Sequence, residues 1–195
     1  TAYPYHAGES ETFLGKSVLK DGYREKVKLA TKLPVFLVRK PEDMEKYFKK
    51  QLERLQVEKI DYYLLHMLNG DNWEMMKSFG VIDFMNELKE SGAIINMGFS
   101  FHGKLKDFKT IVDEYEWEFC QIQLNILDEN YQAGIKGLHY AADRNLAVMI
   151  MEPLRGGQLV NIIPDEIQKL WDQAEIKRTP AEWALRLIWN LPQVT

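Results

Sequence analysis

Residues 60–66 read IDYYLLH, and this stretch decides the fold. It is a short, almost continuous run of branched and aromatic side chains, the signature of a strand buried on both faces. Reading outward, the run recurs. Val27–Leu33 (VKLATKL), Ile94–Ser100 (IINMGFS), Phe119–Asn125 (FCQIQLN) and Leu146–Glu152 (LAVMIME) read as four more strands. Between them lie stretches of helical period. Pro41–Leu55 places Met44, Tyr47, Phe48, Leu52 and Leu55 near one face, with Pro41 suited to the first turn. Val81–Ser91 is stopped by Gly92. Lys104–Tyr115 and Ala133–Arg144 complete the interior helices, and Asp165–Gln173 and Pro180–Trp189 follow the last strand.

Strict alternation of strand and helix implies a parallel sheet covered by helices. Two architectures satisfy it, an open doubly wound sheet and a closed (β/α)₈ barrel. No GxGxxG or GxxxxGK[ST] follows any strand, which weighs against the nucleotide-binding open sheet. Five strands are clear, and Thr1–Tyr3 fits the end of one more, whereas a barrel needs eight. The expectation is a single domain over residues 1–195: an α/β chain, most of a (β/α)₈ TIM barrel, with the first and last β/α units missing. The closing LPQVT reads as the lead into a further strand.

Composition narrows the function. With 195 residues, 46% of them apolar and 28% charged, the chain can bury a sizeable core. A net charge of −4 argues against nucleic acid as a partner. No apolar run approaches the roughly 20 residues of a membrane span. A single cysteine, Cys120, fits a reducing, cytoplasmic setting. The histidines at 6, 66, 102 and 139 are scattered and no CxxC occurs, so no metal site is expected.

Ligands in parallel α/β folds meet the carboxyl ends of the strands. Tyr5 follows the partial first strand, Lys32 ends VKLATKL, and His66 ends IDYYLLH. Ser100, Gln121, Gln123, Asn125, Glu152 and the run Arg155-Gly156-Gly157 lie at the later ends. A free Tyr has a pKa near 10, and a neighbouring ammonium favours its phenolate. A neutral His can hydrogen-bond the oxygen that receives the proton. Such a set suits carbonyl reduction, in which carbon takes a hydride and oxygen a proton. The two glycines after Arg155 let backbone approach a ligand closely. His102 and His139 read as loop and surface residues. Met149 and Met151 read as core, and Trp117, Trp171, Trp183 and Trp189 as helix-packing residues.

These residues resemble the aldo-keto reductases. TAYPYHAGESETFLGKSVL (1–19) is similar to the family segment in which Thr-Ala precedes the catalytic Tyr and Ser-Glu opens the next helix. LATK (29–32), DYYLLH (61–66), GFS (98–100) and QIQ (121–123) follow in the family's order and interval. GFSFHG (98–103), MEPLRGGQL (151–159) and TPAEWALRLIWN (179–190) look most like the branch with a ferredoxin-like C-terminal extension that binds a 4Fe–4S cluster through four cysteines. No cluster is expected in residues 1–195.

The resemblance implies an oxidoreductase that reduces an aldehyde, ketone or quinone with hydride from NADPH or NADH. It implies Tyr5 as general acid, Lys32 lowering its pKa and His66 orienting the carbonyl. It further implies Ser100 and Gln121 on the nicotinamide carboxamide, with Met151, Glu152, Leu154 and Arg155 along the cofactor. Three departures stand out. The Asp that pairs with the catalytic Lys falls before Thr1. Phe101 replaces the usual Asn, removing one amide hydrogen bond, and Met151 replaces the Tyr that stacks on the nicotinamide. They keep a rival in view, a non-catalytic dinucleotide-binding or regulatory barrel. The partner implied is a small carbonyl substrate; the sequence sets no oligomeric state.

Overall fold

Strand β1 (Ala30–Leu33) is the first of five parallel strands, and sequence order is also spatial order. β2 (Ile60–Leu68), β3 (Ile94–Phe101), β4 (Phe119–Gln123) and β5 (Ala147–Met151) follow. Every strand is joined to the next through a helix, as parallel pairing requires. This computed structural model describes residues 1–195. The helices are α1 (Ser10–Phe13), α2 (Glu42–Leu55), α3 (Gly70–Ser78), α4 (Val81–Glu90), α5 (Leu105–Glu114) and α6 (Gly134–Ala142). After β5 come α7 (Gln158–Asn161), α8 (Asp165–Trp171) and α9 (Pro180–Trp189). The result is a five-stranded segment of a TIM barrel.

Period-two alternation sorts each strand's side chains. Leu33, Tyr63, Leu65, Met97, Phe99, Phe101, Cys120, Ile122 and Val148 join the core under the helices. The concave side receives the alternate residues. The register aligns Lys32 with Leu64, Leu64 with Gly98, and Gly98 with Phe119. One level up, Ser100 pairs with Gln121, and Gln121 with Met149.

Element ends differ from the sequence expectations by one to three residues. Residues 27–29 precede β1 because the Leu29 N–H bonds the Asp61 carboxylate at 2.8 Å instead of a ladder carbonyl. Helix α3 was not expected. Its signal is Asn69, whose side chain caps the Asn72 N–H at 3.0 Å while the Asn72 side chain returns the bond to the Asn69 N–H at 2.9 Å. Thr1–Tyr3 forms no strand: a turn begins at Tyr3, and the segment is tied to β1 by the Thr1 nitrogen, which donates to Ala30 O at 2.8 Å. At the opposite edge the Thr195 N–H donates to Val148 O at 3.0 Å, so LPQVT does lead onto the sheet. Trp117 is buried and Trp171 stacks on Trp183, but Trp189 is exposed, on the polar side of α9. No helix is long and apolar enough to cross a membrane.

Candidate active site

Tyr5, Lys32 and His66 come together at the carboxyl end of the sheet. Lys32 Nζ donates to Tyr5 Oη at 3.3 Å and to Thr1 O at 3.3 Å. It also lies 4.9 Å from the Tyr5 ring centre. The His66 ring meets Tyr5 edge-on, 5.6 Å between centres, and Phe36 closes its other side at 5.8 Å.

A buried polar lattice stands behind Lys32. The α2 stripe Met44, Phe48, Gln51, Leu55 is apolar except for Gln51. Gln51 Nε2 donates to Glu11 Oε1 at 2.7 Å and to Lys32 O at 3.0 Å, while Tyr63 Oη donates to Gln51 Oε1 at 2.7 Å. Thr31 Oγ1 also donates to Glu11 Oε1, at 2.6 Å. Arg54 lies 3.5 Å from Glu11 Oε2, donates to Tyr3 O at 3.3 Å, and stacks over the Tyr3 ring. Glu11 is wholly buried. The lattice therefore ties both the Lys32 backbone and the Tyr5 loop to one helix. Gly15 permits this, since a Cβ there would lie 2.4 Å from Arg54 O. Beyond Tyr5, His6, Ala7 and Gly8 all take left-handed backbone to turn the chain into α1.

Electrostatics set protonation. Burial lowers the Lys32 pKa to about 8. Burial, reinforced by the Lys32 charge, holds His66 at about 3, so its imidazole is neutral. Its Nδ1 is buried without a partner, and Nε2 is neither buried nor bonded within the chain. Tyr5 differs from expectation. Burial, followed by the Glu152 carboxylate, raises its pKa.

Across the sheet, the Ser100 hydroxyl is partly committed. It accepts from the Met67 N–H at 2.9 Å and faces Leu65 O at 3.5 Å, bracing a bulge in β2 where Met67 has φ of 61°. Gln121, Met149 and Met151 are half-buried on the concave side. The loop after β5 turns through left-handed backbone at Glu152, Arg155, Gly156 and Gly157. Asn125 holds it, donating to Glu152 O at 3.1 Å and to Asp128 Oδ2 at 2.8 Å. Asp128 in turn stands 3.9 Å from Arg155 Nε. Leu154 is half-buried.

Two residues sit differently from expectation. Phe101 does not face the site; its ring turns outward and packs on Phe108 at 5.2 Å. His102 is half-buried at the mouth of the site, its Nδ1 3.3 Å from Gln132 Nε2, not a surface residue. Alternation beyond Ser100 was the signal that could have found it.

The fold is thus a parallel barrel segment with a phenol, an ammonium and an imidazole gathered at one rim, an arrangement chemically suited to carbonyl reduction. The sequence model of the Aldo/keto reductase family matches residues 1–194, and the chain belongs to that family. Among solved structures it is similar to the aldo-keto reductase AKR11C1 from Bacillus halodurans. In the holo form the TM-score is 0.80 and identity 24%, over 99% of this chain and 68% of that one. In the apo form the TM-score is 0.77 and identity 25%, over 100% and 67%. The glycerol dehydrogenase AKR11B4 from Gluconobacter oxydans gives a TM-score of 0.75 at 21% identity, over 100% and 68%. The chain thus spans about two thirds of each. No curated protein sequence matches it.

Proposed function

We propose that the protein reduces a small aldehyde, ketone or quinone with NAD(P)H, Tyr5 giving the proton. The observation that carries this is the 3.3 Å contact of Lys32 Nζ with Tyr5 Oη beside a neutral, buried His66. A raised pKa keeps Tyr5 protonated at neutral pH, as a donor must be. As the proton leaves, negative charge grows on Oη, and Lys32, still largely charged below pH 8, stabilises it. His66 Nε2 orients the carbonyl oxygen that accepts the proton.

The concave side fits a dinucleotide. Gln121 and Ser100 stand level for the carboxamide, and Met151 offers a soft side chain to a ring face. A Cβ at Gly156 would meet nothing within 4 Å, so the loop has room for a ligand, and Arg155 is half-exposed beside it. We assign Glu152 and Leu154 to the same loop contact. When bound, the dinucleotide supplies the hydride.

The test is Tyr5→Phe in the complete natural protein. Aldehyde turnover is expected to fall at least about 100-fold, with NADPH affinity within about twofold of the parent. Unchanged turnover would refute the role of Tyr5. A parent that binds NADPH but never turns over repeatedly would instead make it a binding module.

A further inference from the structure

The strand that carries Ser100 places one more polar group at the site. Ser100 faces inward and Phe101 outward, so His102 returns to the inner side. Its backbone is fixed beside β2, the His102 N–H donating to Leu68 O at 2.8 Å, two residues beyond His66. Its ring is fixed from the other side by Gln132, in the loop after β4. In the tautomer in which Nδ1 accepts from the Gln132 amide, the neutral imidazole carries its proton on Nε2. That atom is neither buried nor bonded within the chain. His102 itself lines an open cleft of about 470 Å³ together with Lys104, Tyr131 and Gln132. Burial lowers the His102 pKa, so the ring is neutral, and the Lys32 and Glu152 charges act on it as well.

We propose that His102 is a specificity-determining residue: its Nε2–H, beside His66, hydrogen-bonds a second oxygen on the substrate carbon next to the reacting carbonyl. His66 near the end of β2 and His102 just past the end of the neighbouring β3 would then each meet one of two adjacent oxygens. A simple alkyl aldehyde fills only the first position and leaves the His102 donor without a partner. The inference rests on the reductase function proposed above.

Propanal and 2-hydroxypropanal differ only in that second oxygen. The experiment measures kcat/KM for both with NADPH, in the complete natural protein and in His102→Leu and His102→Gln. His102→Leu is expected to lower kcat/KM about tenfold for 2-hydroxypropanal, the worth of one hydrogen bond, and less than twofold for propanal. His102→Gln, which retains an N–H donor, is expected to recover most of the loss. Equal losses on both aldehydes would make His102 a structural residue and overturn the proposal, as would no loss on either. A parent that reduces propanal but is untouched by His102→Leu removes this inference alone. A parent that reduces neither aldehyde removes the reductase function as well.

Discussion

The two rims of the sheet are built on different principles. The β1–β2 rim, with Tyr5, Lys32 and His66, rests on side chains that are buried and bonded to one another. The β5 rim, with Met151 to Leu159, rests on left-handed backbone and one amide, that of Asn125. Neither α7 nor α8, which continue that rim, buries a single residue. Proton transfer depends on atoms held in fixed relation, and the first rim provides that. Taking up and releasing a large ligand needs backbone that a ligand can approach closely, and the glycine-rich turn of the second rim is suited to it.

The strongest way to break this contrast is Glu11→Ala. It removes the acceptor shared by Thr31 and Gln51 and leaves Arg54 half of an ion pair. Breaking a buried charged pair on one side costs about 3–5 kcal/mol. The loss should appear as a lower urea midpoint, with turnover falling more than cofactor affinity, because the Tyr5 loop hangs on Arg54. A stability change under 1 kcal/mol would show that the lattice is not what holds the first rim.

The same contrast explains what the sequence made legible. Lys32 and His66 lie near the carboxyl ends of their strands, and strand ends follow from alternation and continuous apolar runs, so their convergence could be read; Tyr5 sits in the turn before α1, where no strand leads to it. Gln51 could not, because a glutamine in a helical stripe looks like a break in the stripe until its four partners are known. His102 was hidden for a similar reason: the strand continues one residue beyond the expected Ser100, and that residue sets which side His102 faces. The direction of the Tyr5 shift was also unreadable. It depends on burial and on Glu152, which lies 147 positions away in the chain. On the second rim the glycines were visible as a ligand-approach signal, but the Asn125–Asp128 brace was not.

A smaller effect sharpens the contrast through pH. Lys32 titrates at about 8 in the fold and near 10.5 when unfolded. Between those values the unfolded chain holds a proton that the native chain has lost. Stability therefore rises with pH through this window, by at most about 3 kcal/mol. Turnover should move the other way, falling above about pH 8 as the charge that stabilises the Tyr5 phenolate disappears. Lys32→Met should abolish the alkaline rise in stability; a rise of the same size in that variant would mean another group causes it. His66 contributes at the acid end. Its folded value of about 3 lies below the ordinary 6.5, so stability is lost as pH falls from 6.5 toward 3.

The smallest expected effect on stability is the most telling for the second rim. At Gly156 the backbone has φ of 64°, and an added Cβ would touch nothing within 4 Å. Gly156→Ala should therefore cost only the left-handed backbone penalty, about 1–2 kcal/mol. If the loop exists to let backbone approach a dinucleotide, the new methyl occupies space the ligand needs. NADPH affinity should then fall about tenfold or more, with turnover at saturating NADPH nearly unchanged. Gly15→Ala is the counterpart on the first rim, where the Cβ would meet Arg54 O at 2.4 Å and the damage falls on stability without ligand. Should Gly156→Ala bind NADPH as tightly as the parent, Gly156 would be a turn residue alone, and the cofactor contact would have to lie elsewhere on the rim.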